Sequence, residues 1–180
     1  MTSLVPAVIE LIKQITHKLN LTSSVTAEAI LSYHKLHGEN GNWNRPVGVT
    51  AATAVLIACR VTGTPRTVKE VAKASKVESK AILTLLKEIQ KRGLVRTRPP
   101  EASALIEHLC QKLELSHEVA EEAKRMALSS GVVNASPVSL AGACTYLASR
   151  RSGELRSQSA IAETIGTTEV TIRNVARLLQ

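Results

Sequence analysis

The sequence contains no aspartate and no phenylalanine, and its only aromatic side chains are those of Tyr33, Trp43 and Tyr146. Without aspartate, a Ser-His-Asp triad, an Asp-based magnesium site and an EF-hand loop are excluded in their usual forms. Proteins that bind single-stranded nucleic acid stack bases on aromatic side chains, and three scattered rings cannot supply such a platform. Single-strand binding is therefore disfavoured as well.

Cysteine is also scarce, since Cys59, Cys110 and Cys144 stand far apart and form no CxxC pair. A disulfide framework is dense and usually even in number, so a reducing, intracellular location is favoured. His34 and His37 lie three residues apart, but no cysteine or second histidine pair completes a zinc set. No glycine-rich phosphate loop and no paired nucleophile and base are found. We therefore expect no metal, no cofactor and no enzymatic activity.

Basic residues outnumber acidic ones, and the excess lies in the first half of the chain. The sequence has 23 Lys and Arg against 15 acidic residues, all Glu, for a net charge of +8. Residues 1–100 carry 15 basic and 6 acidic side chains, whereas residues 101–180 carry 8 and 9. A basic excess on one half is typical of proteins that bind a polyanion such as DNA. Solubility explains the total of +8 equally well.

Two segments of the chain are similar at a constant offset of 90 residues. ACRxxGxxRT at 58–67 aligns with ASRxxGxxRS at 148–157, and Val71-Ala72 aligns with Ile161-Ala162. The sequence therefore contains two copies of one unit of about 80–90 residues.

The two copies also match nearer their starts, and a helix-breaking segment separates them. Leu19-Asn20-Leu21 matches Leu113-Glu114-Leu115 at an offset of 94. Gly93 and Pro99-Pro100 interrupt helical periodicity between the copies. This spacing predicts two domains, 1–95 and 96–180.

Apolar residues recur at intervals of three and four, which predicts five helices in each copy. Thr67 and Glu70 have the spacing of a capping box, and Pro46 suits a first helical turn. The third helix of each copy is almost free of charge and should lie at the centre of its bundle. The fold class is thus all-α, with two tandem five-helix bundles. The predicted helices are 4–19, 23–37, 46–62, 68–75 and 79–92, then 101–113, 117–129, 137–152, 158–165 and 168–179.

The last two helices of the second copy have the spacing of a helix-turn-helix. Ala162 is small where the second helix would cross, and Gly166 permits the positive φ of a tight turn. Ile165, Ile172 and Val175 would face inward to fix the crossing. In the first copy Lys76 replaces the glycine, which predicts a less typical turn. The alternative is that each pair is simply two packed helices.

The outward faces of these motifs differ between the copies. In the second copy the face offers donors and acceptors of the kind that read a major groove, and an arginine can pair bidentately with guanine. In the first copy it offers lysines, which suit phosphates better than bases. The second-copy residues are Thr168, Glu169, Thr171, Arg173, Asn174 and Arg177, and the first-copy residues are Lys73, Lys76, Lys80 and Lys87.

The chain resembles the transcription initiation factor IIB family, and most closely its archaeal form, transcription factor B. The resemblance is carried by GTPRT at 63–67, by GExRSQ at 153–158 and above all by TEVTIRN at 168–174. It extends from about Val8 to Leu179. It implies two cyclin-like repeats, each ending in a helix-turn-helix.

The resemblance also implies a function at promoters. Members of this family bind the TATA-binding protein on bent double-stranded promoter DNA and read an upstream element in the major groove, which sets the direction of transcription. By match to the motif, Val170 and Arg173 would contact bases, while Ser157 and Gln158 would lie near phosphates. The further predicted DNA contacts are Arg66, Lys76, Lys80, Arg156, Thr168, Thr171 and Asn174.

The chain also departs from the family pattern. Members carry an N-terminal zinc ribbon and a linker that engage RNA polymerase, and this chain has neither, so polymerase is the least supported partner. We expect either the core of a longer protein or a regulatory paralogue that does not recruit polymerase. We expect a monomer without membrane contact, nucleoid-associated in an archaeal cytoplasm or nuclear in a eukaryote. The competing hypothesis is a cyclin-like protein-binding scaffold. Trp43 would be either a core plug or a partner contact.

Overall fold

A computed structural model describes residues 4–38, 45–131 and 134–180. Within these ranges the chain forms ten α-helices and no strand, which confirms the all-α prediction, and every predicted helix end lies within one residue of the observed end. Two compact units are present, Met1–Arg98 (unit 1) and Pro99–Gln180 (unit 2). The helices are α1 (Leu4–Lys18), α2 (Ser23–Gly38), α3 (Val47–Val61), α4 (Val68–Ser75) and α5 (Ser79–Lys91) in unit 1, and α6 (Ala102–Lys112), α7 (His117–Ser129), α8 (Pro137–Arg151), α9 (Gln158–Ile165) and α10 (Glu169–Leu178) in unit 2.

The third helix of each unit lies at the centre of its bundle, as its lack of charge predicts. In α3, Val49 and every residue from Ala51 to Cys59 are buried. This helix packs against α1, α2, α4 and α5, and α8 packs in the same way against α6, α7, α9 and α10. A helix that is apolar on all sides gains most free energy when every side is covered, so it becomes the core on which the other helices pack.

The turns that follow equivalent helices have the same backbone form in both units. Asn20 after α1 and Glu114 after α6 both adopt positive φ, at 49° and 51°. Between the last two helices, Lys76 has φ 56° and Gly166 has φ 79°. The turn at Lys76 is therefore left-handed like its glycine counterpart, and the expectation of a less typical turn is wrong. A side chain in this conformation costs free energy, but it does not prevent the turn.

Side-chain caps fix where several helices begin. The Thr67 hydroxyl accepts from the Glu70 backbone N–H at 3.2 Å, and the Thr67 N–H donates to the Glu70 carboxylate at 2.8 Å, which confirms the capping box. Pro46 occupies the N-cap position, so α3 begins at Val47, one residue later than predicted. In unit 2, Ser136 caps α8 with its hydroxyl and leaves the first helical position to a proline.

Candidate nucleic-acid interface

Helices α9 and α10 form the helix-turn-helix that the sequence predicts. Ile161, Ala162 and Ile165 are buried on the inner side of α9, and Ile172 and Val175 are buried on that of α10. Between the helices, the chain turns at a left-handed C-cap whose N–H donates to the carbonyl of Ala162. The small side chain at the crossing and the inward isoleucines therefore fix the position of α10 on the bundle.

A glycine in α8 lets this motif pack closely against the central helix. A Cβ atom added at Gly142 would lie 3.4 Å from two side-chain atoms of Ile172 and 3.7 Å from Ile161. The side chains from α9 and α10 thus rest directly against the α8 backbone, and the outer face of α10 is held on a rigid support.

The outer face of α10 carries four exposed side chains at helical spacing. Val170, Arg173, Asn174 and Arg177 fall at intervals of three, one and three residues, so they share one face. All four are exposed, and Val170 is 58% exposed although it is apolar. This face combines an exposed methyl surface with amide and guanidinium groups, which are the groups that contact base edges in a major groove.

The hydroxyl groups predicted as DNA contacts are used to start the two helices. Thr168 caps α10 by accepting from the Thr171 N–H at 3.2 Å, and the two threonine hydroxyls are 2.8 Å apart. Ser157 caps α9 by accepting from the Ala160 N–H at 3.0 Å. Thr168 and Ser157 remain exposed, so their DNA contacts stay predictions. What the structure adds is that both hydroxyls hold a helix N-terminus in place.

Two of the predicted site residues meet across the motif. The Nε–H of Arg173 on α10 donates to Oε1 of Gln158 at the start of α9, at 3.3 Å. The sequence motif places these residues 15 positions apart and gives no sign that they touch.

Tyr146 and Arg150 of α8 adjoin this pair and were missed by sequence reasoning. The Tyr146 hydroxyl accepts from Nη1 of Arg150 at 3.1 Å, and the guanidinium carbon lies 5.8 Å from the ring centroid. The pKa of Tyr146 lies below its usual value, mainly because of the hydrogen bond from Arg150. Burial acts the other way and raises this pKa, whereas Gln158 and the positive charge of Arg173 lower it further. Tyr146, Arg150 and Gln158 line one shallow groove together with Ser157 and Glu169.

Two of the arginines predicted as DNA contacts, Arg66 and Arg156, have backbone partners inside their own units. Nη2 of Arg66 donates to the carbonyl of Leu19 at 3.0 Å, where α1 has just ended. Nε and Nη2 of Arg156 donate to the equivalent carbonyl of Leu113, at 3.1 and 2.9 Å. Each arginine thus satisfies the C-terminus of the first helix of its bundle. Their contact with DNA stays a prediction, but the repeated arginine already has a structural explanation.

The lysines of unit 1 lie on exposed positions of α4, its C-cap and α5. Lys73, Lys76, Lys80 and Lys87 are exposed, and none forms an ion pair with another residue that the structure describes. By contrast, Glu88 of α5 forms ion pairs with Arg45 and Arg92. At the offset of 90, Lys80 and Leu83 stand where unit 2 has Val170 and Arg173. Unit 1 therefore has a point charge in place of Val170 and an apolar side chain in place of Arg173, so it lacks the groups that discriminate bases at these two positions.

Other features of the chain carry less information about this site. Among the described residues, no group of three or more His, Cys or Glu could hold a metal ion. The helices in that part of the chain are too short, or insufficiently apolar, to cross a membrane. Trp43 lies outside the described residues.

Comparisons with known proteins agree with the repeat and the motif. The family "Transcription factor TFIIB repeat" matches residues 4–92 and 96–180. Transcription initiation factor IIB of Methanopyrus kandleri is 35% identical over 168 residues, which cover 91% of this chain and 55% of that protein. The protein of that name from Archaeoglobus fulgidus is 35% identical over 163 residues, and transcription initiation factor IIB 1 of Thermoplasma volcanium is 32% identical over 170. These matches cover 87% and 91% of this chain, and 49% and 54% of those proteins.

A chain from a solved structure of the Chaetomium thermophilum CAK complex bound to ATP-gamma-S has a TM-score of 0.42 and 16% identity, covering 98% of this chain and 61% of that one. The chain spans about half the length of the curated relatives that it matches. Since two copies of the TFIIB repeat together account for nearly all of its residues, the chain belongs to the transcription factor IIB family.

Proposed function

We propose that this chain is the promoter-binding core of a transcription initiation factor. In this proposal α10 of unit 2 lies in the major groove of an upstream promoter element, with Val170 and Arg173 on base edges. The reading of an asymmetric element next to the TATA box sets the direction of transcription. Unit 1 holds phosphates on the same DNA, and both units bind a TATA-binding protein already seated there.

The observation that carries the proposal is the outer face of α10. It lies on the second helix of a helix-turn-helix, is exposed along its length, and presents Val170, Arg173 and Asn174 side by side. Arginine pairs bidentately with guanine O6 and N7, and a valine methyl contacts a thymine methyl. A protein-binding scaffold has no need for this combination on an exposed helix that its caps and core hold in place.

The contribution of unit 1 follows from its unpaired charge. Lys76 and Lys80 are exposed, the first at the C-cap of α4 and the second in the first turn of α5. Lysines of this kind contact phosphates and add affinity that is independent of sequence and sensitive to salt. The contact with a TATA-binding protein rests on family membership, which the transcription initiation factor names of the relatives support.

A gel-shift titration tests this function. The chain is added to TATA-containing DNA with and without a TATA-binding protein from the same source, at fixed salt, while each upstream base pair is changed in turn. We expect a supershift that requires the TATA-binding protein and that weakens when particular upstream base pairs are changed.

The negative results are equally informative. A supershift that ignores the upstream sequence would refute base reading by α10 but keep promoter binding. No shift under any condition would refute the whole proposal and favour the scaffold hypothesis, for which a pull-down of protein partners is the next measurement.

A further inference from the structure

A set of polar side chains links α8, α9 and α10 behind the exposed face. Arg150 donates to the Tyr146 hydroxyl at 3.1 Å, Gln158 lines the same groove as Tyr146, and Gln158 Oε1 accepts from Arg173 Nε at 3.3 Å. This network, two hydrogen bonds whose members Tyr146, Arg150 and Gln158 line one groove, extends from the central helix of the bundle to Arg173, the residue proposed to read a base.

Unit 1 lacks this network, and its packing shows that the fold does not need it. At the offset of 90, Tyr146, Gln158 and Arg173 correspond to three apolar residues, Leu56, Val68 and Leu83. Leu56 is fully buried, and the other two are partly buried.

The residue of unit 1 that corresponds to Arg150 confirms the contrast. Arg60 has no tyrosine hydroxyl to bond, its buried Nε has no hydrogen-bond partner, and burial lowers its pKa. Apolar side chains at these positions therefore support the same helices in unit 1. Stability of the fold does not explain why unit 2 has polar side chains there.

The contact on Arg173 has a specific consequence for its guanidinium group. Arginine carries five N–H donors in a planar fork. When Nε–H is bonded to Gln158, the plane of the group is fixed and the two terminal nitrogens point away from the contact. Those nitrogens are the pair that can reach guanine O6 and N7 together. An exposed arginine without such a contact would lose more rotamer freedom on binding, and its bidentate geometry would form less often.

We propose that Gln158, supported by Tyr146, is a positioning residue that orients Arg173 for base recognition and thereby sets the sequence specificity of unit 2. This inference rests on the proposed function of α10. It gives Gln158 a role different from the phosphate contact that the sequence motif implies.

The test compares four variants of the whole chain in the supershift assay with the TATA-binding protein. Gln158→Val introduces the unit 1 residue, Tyr146→Phe removes only the hydroxyl, and Gln158→Glu keeps an acceptor for Arg173. Arg173→Ala first identifies the base pair whose discrimination is lost. Gln111→Val, at an exposed glutamine of α6, is the matched control.

At that base pair, Gln158→Val should reduce discrimination about fivefold, part of the roughly 5- to 150-fold that one bidentate contact supplies. Tyr146→Phe should give a smaller loss in the same direction. Gln158→Glu should retain discrimination, even though its negative charge weakens binding to all DNA. In the Arg173→Ala background, Gln158→Val should cause no further loss, because the residue that it positions is gone.

Different failures have different meanings. If Arg173→Ala leaves discrimination intact at every base pair, the proposed function of α10 fails. If Arg173→Ala removes discrimination but Gln158→Val and Tyr146→Phe do not change it, the positioning role is overturned. If Gln158→Val weakens all DNA sequences equally, also in the Arg173→Ala background, Gln158 is a phosphate contact and the inference is wrong. Circular dichroism melting checks that each variant is folded, and Tyr146→Phe serves if Gln158→Val is not.

Discussion

Replacing Lys76 with glycine should raise the free energy of unfolding of unit 1 by about 0.5–1 kcal/mol. Lys76 caps α4 with φ 56° and ψ 35°, and this left-handed conformation costs about 1–2 kcal/mol for a residue with a Cβ atom. Glycine removes that cost, but it also lowers the free energy of unfolding by about 0.5–1 kcal/mol, because the unfolded chain gains conformational freedom. The equivalent position in unit 2 is already a glycine, Gly166, at φ 79°.

Thermal unfolding followed by circular dichroism measures this effect, with a midpoint for unit 1 that should rise by about 2–8 °C. Lys76→Ala is the control, since it removes the charge but keeps the Cβ atom, and its midpoint should stay close to that of the original chain. Gly166→Ala should have the opposite effect in unit 2 and lower its stability by about 1 kcal/mol. A Lys76→Gly midpoint at or below that of Lys76→Ala would refute the assignment of strain to this turn.

The same pair of variants separates stability from DNA binding. Lys76→Gly and Lys76→Ala both remove the positive charge, so both should weaken the supershift on every DNA sequence to the same extent. If the glycine variant binds better than the alanine variant, the shape of the turn itself contributes to binding.

Three further predictions concern single side chains. Arg173→Ala should lose about 1–3 kcal/mol of discrimination at one base pair, measured by titrating upstream-element variants, and equal losses on all DNA would contradict base reading. Lys80→Ala should weaken all sequences alike and reduce the slope of log K against log salt by about 1, so a sequence-dependent loss would contradict a phosphate contact. Arg156→Ala should destabilise unit 2 by about 1–2 kcal/mol in denaturant titrations, because the carbonyl of Leu113 loses a charged donor. Arg151→Ala, which removes a surface ion pair, should cost no more than about 0.5 kcal/mol, and equal costs would contradict the capping role of Arg156.

Local sequence patterns were sufficient to predict the helices and the motif. Helix ends could be placed within one residue because caps such as Thr67 and the apolar periodicity act over only a few neighbouring positions. The central place of α3 was predictable because a segment without charge must be covered on all sides. The exposed face of α10 followed from the same periodicity, since Ile172 and Val175 have to point into the core.

Contacts between residues distant in sequence could not be predicted in this way. The carbonyls that Arg66 and Arg156 reach lie 47 and 43 residues away, and nothing nearby in the sequence indicates these contacts. The expectation that a turn without glycine would differ was wrong at Lys76. The preference of a residue with a Cβ atom for negative φ is about 1–2 kcal/mol, which the packing of α4 and α5 can outweigh.

The repeat, the helices and the identity of the side chains on the outer face of α10 were thus predictable from local sequence alone. Periodicity fixes which side of a helix is buried, and the remaining side is exposed by default. How Arg173 is held follows from the fold alone, because its contact with Gln158 depends on how α9 and α10 cross. The direction in which a guanidinium group points is set by neighbours brought together in space, and these are not its neighbours along the chain.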